Sequence, residues 1–169
     1  MSQKFRIPWA AWREPEYFEI EFPNEWNISC LRMNKWDAPD LSISKIKEAI
    51  ENPIDSPKLS DLASGKETAV IVVDDMTRTT PVSKILPIII EKLEKENISR
   101  EQITILLALG AHKPMSRKDC ILKLGKNIVD TINIENHSPY ENLINLGESQ
   151  IGTPIEVNKT YYKADLKIS

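Results

Sequence analysis

The sequence holds little of what usually betrays a reaction: two histidines, two cysteines and five glycines in 169 residues. Cys30 and Cys120 stand alone without CxxC spacing, so the two thiols are read as space-filling and assigned no chemistry. With two histidines at these spacings they make no metal site, and any metal would need ligands from elsewhere. No GxGxxG follows a strand, and neither a GxxxxGKS/T loop nor a GxSxG elbow occurs, which excludes the common glycine-rich phosphate cradles and the hydrolase nucleophile turn. No apolar run approaches the roughly 20 residues that cross a bilayer. The opening "MSQKFRIPWAAWREPE" lacks the apolar core of a signal peptide, so a cytoplasmic location without a membrane partner is expected. A basic excess is missing too: the formal charge is −3, which gives no electrostatic footprint for nucleic acid and points to small ligands instead.

What is present is the composition of a folded protein, with 41% hydrophobic and 28% charged residues. At this length a single domain over residues 1–169 is expected, with residues 1–40 as a β-rich lead-in packed on it. That lead-in carries all four tryptophans, an alternating run "EYFEIEF" and a second strand-like run "NISCLRM". The tryptophans are read as core or interface packing, because they are not interleaved with basic residues as a single-strand nucleic-acid platform requires. "SISKIKEAIEN" has helical spacing behind a serine cap and is stopped by Pro53. From Thr68, "TAVIVVDD" is a continuous β-branched run of the kind buried in a parallel sheet. "TPVSKILPIIIEKLEKEN" then places Val82, Ile85, Leu86, Ile89 and Leu93 on one helical stripe, with Pro87 inside it expected to kink the helix or move its start. "QITILLALG" is a second apolar strand, and Ser116 with Asp119 opens a further helix, "RKDCILKLGKNIVD", in the manner of a capping box. "TINIEN", "NLINLG", "TPIEVN" and "ADLKIS" read as later short strands. Strand, helix, strand, helix implies right-handed crossovers, and the fold class is α/β: a parallel-sheet, three-layer domain with short C-terminal strands. Ending on an apolar strand with no closing helix, the chain is expected to be part of something longer.

Ligands of open parallel sheets sit outside the carboxyl ends of the strands, which selects two loops, "DDMTRTTP" from Asp74 and "GAHKPMS" from Gly110. Arg78 suits a two-point contact with a carboxylate or phosphate, or it pairs on the surface with Asp74 or Asp75. Thr77, Thr79, Thr80 and nearby backbone N–H groups suit an anion at the helix start, and are also ordinary turn and capping residues. Asp75 can accept a bond from a ribose or substrate hydroxyl, or orient Arg78. His112 can take and return a proton near neutral pH, and His137 reads as a turn histidine bonding its own loop.

Taken together, "DDMTRTTP", then "ALGAHKPMS" about thirty residues on, then "NLINLGESQIGTPIEVNK" and "ADLKIS", resemble the N-terminal domain of the lactate racemase family, whose members use a nickel-pincer mononucleotide. The resemblance covers roughly Leu59 to Ser169. It implies a racemase or epimerase, an isomerase that inverts the hydroxyl-bearing carbon of a 2-hydroxy acid by passing a hydride to the cofactor and back. It places the histidine that removes the hydroxyl proton at His112, and cofactor and substrate contacts at Asp75, Met76, Thr77 and Arg78, the arginine polarising or holding the substrate. Members commonly carry threonine before this histidine and arginine after it. Ala111 and Lys113 stand here instead, and lysine lacks the guanidinium fork, so a different substrate preference is expected. The second catalytic histidine, the tethering lysine and the nickel-ligating histidine of the family fall beyond Ser169. The partner implied is a missing C-terminal domain of the same protein, and the chain alone is expected to be inactive. A different class of function also fits the same loops: a module that binds a nucleotide or organic anion without turnover. A third is a domain kept for assembly through its tryptophan-rich segment.

Overall fold

The computed structural model describes residues 2–9, 16–35 and 38–169. These fall into two compact units, residues 1–42 and 43–169. Trp12 and Trp36, half of the tryptophan group expected to pack, lie outside the described residues.

The first unit is an antiparallel hairpin of β1 (Ser2–Trp9) and β2 (Glu16–Pro23). Alternation sorts its faces. Phe5 opposite Ile20 and Ile7 opposite Phe18 form an apolar face, while Lys4 opposite Glu21 and Arg6 opposite Glu19 form ion pairs on the other. Phe22 meets both Phe5 and Trp26 with ring centroids 5.8 Å apart. "NISCLRM" is not a strand: its residues have no ladder partner, and Leu31 and Met33 lie open to solvent. Ile28 and Cys30 would share one face of a strand and Leu31 and Met33 the other, so alternation gives no single apolar face to bury.

The second unit is built on a four-stranded parallel sheet of β3 (Ala69–Val73), β4 (Ile103–Leu107), β5 (Asn133–Asn136) and β8 (Leu166–Ile168), in the order β5-β4-β3-β8. Helix α1 (Ile43–Glu51) lies against α3 (Val82–Lys95) and is tied to it by the Glu51–Lys92 ion pair; α2 (Leu59–Ala63) precedes the sheet. Helix α3 (Val82–Lys95) crosses from β3 to β4, and α4 (Arg117–Leu124) with α5 (Lys126–Thr131) crosses from β4 to β5. The main core joins Ile71, Val73, Ile105 and Leu107 to Leu86, Ile90, Leu93, Leu124 and Ile128 of these helices. Val70 and Leu106, one residue out of phase, pack with Ala164 and Tyr161 at α6 (Lys159–Lys163). Successive strand residues thus feed two cores, which is why both strands read as unbroken apolar runs. A hairpin of β6 (Leu143–Glu148) and β7 (Pro154–Asn158) follows β5. Glu135 of β5 fastens it by accepting bonds from Asn142, Asn158 and Thr160 at 2.6–2.9 Å.

One helix keeps its start ahead of a proline and another is divided. α3 starts at Val82 and runs through Pro87, because the apolar stripe buried on both sides of the proline outweighs one lost backbone bond. "RKDCILKLGKNIVD" is two helices rather than one. Gly125 adopts φ 94°, a conformation open to glycine, and ends α4 there. The Ser116 capping box at the start of α4 forms as expected: the Asp119 N–H reaches Ser116 Oγ at 3.3 Å, and the Ser116 N–H reaches Asp119 Oδ2 at 2.9 Å. Ser116→Ala is expected to cost about 1 kcal/mol, read as a lower urea midpoint at unchanged slope. No helix among the described residues is long and apolar enough to cross a membrane.

Candidate functional site

Parallel pairing sets the two loops side by side. Val73 and Leu107 are register partners at the ends of β3 and β4, and the Ala108 N–H donates to the Val73 carbonyl at 2.8 Å. The second loop then turns tightly, with the His112 N–H donating to the Leu109 carbonyl at 2.9 Å and Gly110 at φ 56°. A side chain at Gly110 would strain that turn, so the glycine helps aim His112 back over β3. Between the loops is a cleft of about 300 Å³ lined by Asp74, Asp75, Thr77, Arg78, Ala108, Leu109, Gly110, Ala111 and His112.

Asp75 is the buried centre of this arrangement, 7% exposed. Its Oδ1 accepts from the Thr77 N–H at 2.8 Å and the Thr77 hydroxyl at 2.6 Å, and its Oδ2 meets His112 Nδ1. Burial pushes the carboxyl up, but the Thr77 bonds and His112 outweigh it and hold Asp75 down at about 2. A carboxyl held lower in the fold than in the unfolded chain stabilises the fold above its unfolded value, near 3.8, and loses that contribution as pH falls toward 2. The loss expected is about 2 kcal/mol. It is checked by urea unfolding between pH 4 and 2, where Asp75→Asn should show a shallower fall than the parent chain.

The residues singled out in the sequence are brought together unequally. Asp75, Thr77, Arg78 and His112 all line the cleft, whereas Met76 turns its side chain onto the main core. Arg78 pairs with neither neighbouring aspartate. Asp75 is taken by Thr77 and His112, and Asp74 by Lys123 and the Thr80 hydroxyl, so the Arg78 guanidinium is exposed with no ion-pair partner among the described residues. The Thr77 and Arg78 N–H groups are occupied by Asp75 and are not open to an anion. Thr79 is exposed beside the cleft. His137 does not bond its own loop through Nδ1, which is buried without a partner among the described residues; its backbone N–H donates to the Leu107 carbonyl at 3.1 Å.

Two residues of this region have no motif to announce them. Asn136, at the end of β5, grips the histidine loop at both backbone groups of Met115: Oδ1 accepts its N–H at 2.9 Å and Nδ2 donates to its carbonyl at 3.1 Å. Lys123 is buried beneath the arginine loop. Its signal in the sequence is a lysine on the inward side of α4, between Cys120 and Leu124.

A family model described as the lactate racemase N-terminal domain matches residues 14–169. Lactate racemases of Thermoanaerobacterium thermosaccharolyticum and Lactiplantibacillus plantarum are each 33% identical to it over 126 residues, 73% of this chain. The chain spans 29% and 30% of those two proteins, less than a third of either. The solved structure of the lactate racemase apoprotein from T. thermosaccharolyticum matches 98% of this chain and 38% of its own, with a TM-score of 0.73 at 28% identity. A Thermotoga maritima protein shares the fold over 75% of the chain, with a TM-score of 0.51 at 24% identity. The chain belongs to the lactate racemase N-terminal domain family.

Proposed function

We propose that this chain supplies the proton-transfer and substrate-holding half of a racemase or epimerase acting on a 2-hydroxy acid such as lactate, and that a C-terminal partner domain completes the site. The observation that carries this reading is the His112–Asp75 pair facing the same cleft as Arg78, which has no ion-pair partner among the described residues. Asp75 stays ionised and accepts from His112 Nδ1, so the neutral ring keeps its proton there and offers the Nε2 lone pair outward. His112, half-exposed, takes the substrate hydroxyl proton on Nε2, and the imidazolium that results is stabilised by Asp75. Arg78 holds the substrate carboxylate through two parallel N–H bonds, presenting the hydroxyl to His112. The proton returns to the same oxygen when the carbon has been inverted.

The nickel-pincer mononucleotide implied by the family resemblance supplies, when bound, the acceptor that takes the hydride from carbon and gives it back to either face. The cleft fits its nucleotide part. The Thr77 hydroxyl in the cleft lining and the exposed Thr79 hydroxyl next along the loop from Arg78 are the groups that would meet its ribose and phosphate, while Arg78 is kept for the substrate carboxylate and Met76, packed on the core, does not line the cleft. No group of three metal-ligating side chains comes together among the described residues, so nickel would take its ligands from the partner domain.

The test joins the chain to the remainder of a lactate racemase of the family, loads the product with cofactor and follows the conversion of one lactate enantiomer by chiral chromatography. Inversion that depends on this chain supports the reading. A completed, loaded protein that inverts neither lactate nor any other 2-hydroxy acid overturns it.

A further inference from the structure

Lys123 stands out among the buried groups that the proposed chemistry does not use. Its side chain is 3% exposed, and its ammonium lies 2.7 Å from Asp74 Oδ1 while donating to the Arg78 carbonyl at 2.8 Å. α4 does not need a charge there. Cys120 and Leu124 occupy the same inward side, and a methionine would fill the position without the several kcal/mol that burying an ion costs. Both partners of the ammonium lie in the loop that carries Arg78, far away in the chain. α4 itself begins at the end of the His112 loop, where Ser116 caps it. One side chain therefore runs from the helix behind the histidine loop to the backbone of the arginine loop. Asp74 is in turn braced by the Thr80 hydroxyl, so the contact grips the loop at both its ends.

We propose that Lys123 is a positioning residue, a latch that holds the Arg78 loop in register with His112. This rests on the reading of Arg78 as the substrate-holding group. It explains why a charge is buried under the site: a hydrogen bond to a backbone carbonyl fixes the loop itself and leaves the Arg78 side chain free for ligand.

Residue-by-residue amide hydrogen exchange on this chain tests the latch without reference to activity. In Lys123→Met the amides of Thr77 and Arg78 are expected to exchange at least about tenfold faster, while Ile71 and Ile105 in the sheet keep their protection. Asp74→Asn, at a more accessible position, removes the ion pair but leaves the bond to the Arg78 carbonyl, and should loosen the loop less. In the double variant thermal stability should recover from that of Lys123→Met, since no charge is left buried alone, yet the loop should stay loose because the carbonyl still has no donor. Unchanged loop exchange in the single variants overturns the latch, as does equal acceleration in loop and sheet. In the completed racemase, Lys123→Met should raise KM for the hydroxy acid about tenfold and leave the pH dependence of the rate in place. An unchanged KM would also count against it. If the completed parent protein is inactive while the exchange pattern holds, the latch stands and the assignment of the site falls.

Discussion

Replacing His112 by alanine is expected to lower racemisation by the completed protein about 10²–10⁴-fold, the usual contribution of a positioned acid or base. The fold should survive the change. The His112 side chain is 58% exposed, and its one side-chain partner among the described residues is Asp75, whose other oxygen keeps two bonds from Thr77. Losing the histidine therefore removes one contact to a carboxylate that remains well satisfied, at a cost of about 1 kcal/mol. The comparison to make is rate against thermal midpoint, measured on the same preparation. A variant whose rate stays within tenfold of the parent, at an equal midpoint, removes His112 from the proton path. A variant that loses rate only because it has unfolded shows it in the midpoint.

The frame of the second unit was legible because its signals are local and repeated. The β-branched run before Asp74, the apolar run before Gly110 and the stripe of α3 each point to one element, and the crossovers between them force the loops to one edge of the sheet. The Ser116 capping box was equally readable, since both its bonds lie within four residues. Sequence and structure part where a local signal competes with context. Pro87 argues for a kink or a later start, but the helix begins at Val82 and buries Leu86, Ile88 and Ile90 around the proline, so packing keeps the start where it is. Gly125 argues weakly for a break, and there the chain takes it. "NISCLRM" has enough alternation to suggest a strand and no neighbour to make one.

Of the site, the residue types were legible and their connections were not. Asp75 and His112 are 37 residues apart, and nothing in either loop says that the carboxylate faces the imidazole rather than Arg78 or a ligand. The same holds for Lys123 and Asp74, and for Asn136 and Met115. Each bond is made by a side chain reaching from one strand-end loop, or the helix after it, into the next, so it exists only once the sheet has set β3, β4 and β5 in order. Sequence spacing locates such an edge. The tertiary register decides which of its polar groups are spent on one another and which, like Arg78, are left over.

Asp75→Asn is expected to lower the racemisation rate about 10²–10⁴-fold, nearly as far as loss of His112 itself, although the substitution changes no shape. The reason lies in Thr77. Its backbone N–H and its hydroxyl both reach Asp75 Oδ1, and a backbone N–H can bond only an acceptor, so the asparagine carbonyl must take that place. The amide NH₂ is then directed at His112 Nδ1, where the carboxylate oxygen had been. A donor in that position requires Nδ1 to be bare. The ring proton moves to Nε2, and the atom that should accept the substrate proton arrives already protonated. ¹⁵N spectra of the ring read this directly, with Nδ1–H in the parent chain and Nε2–H in the variant at a pH where the ring is neutral. The imidazolium formed during turnover would lose its counter-charge as well, which adds to the loss of rate. A variant that keeps the Nδ1–H form, or keeps a rate within threefold of the parent, would show that His112 is aimed by something other than Asp75.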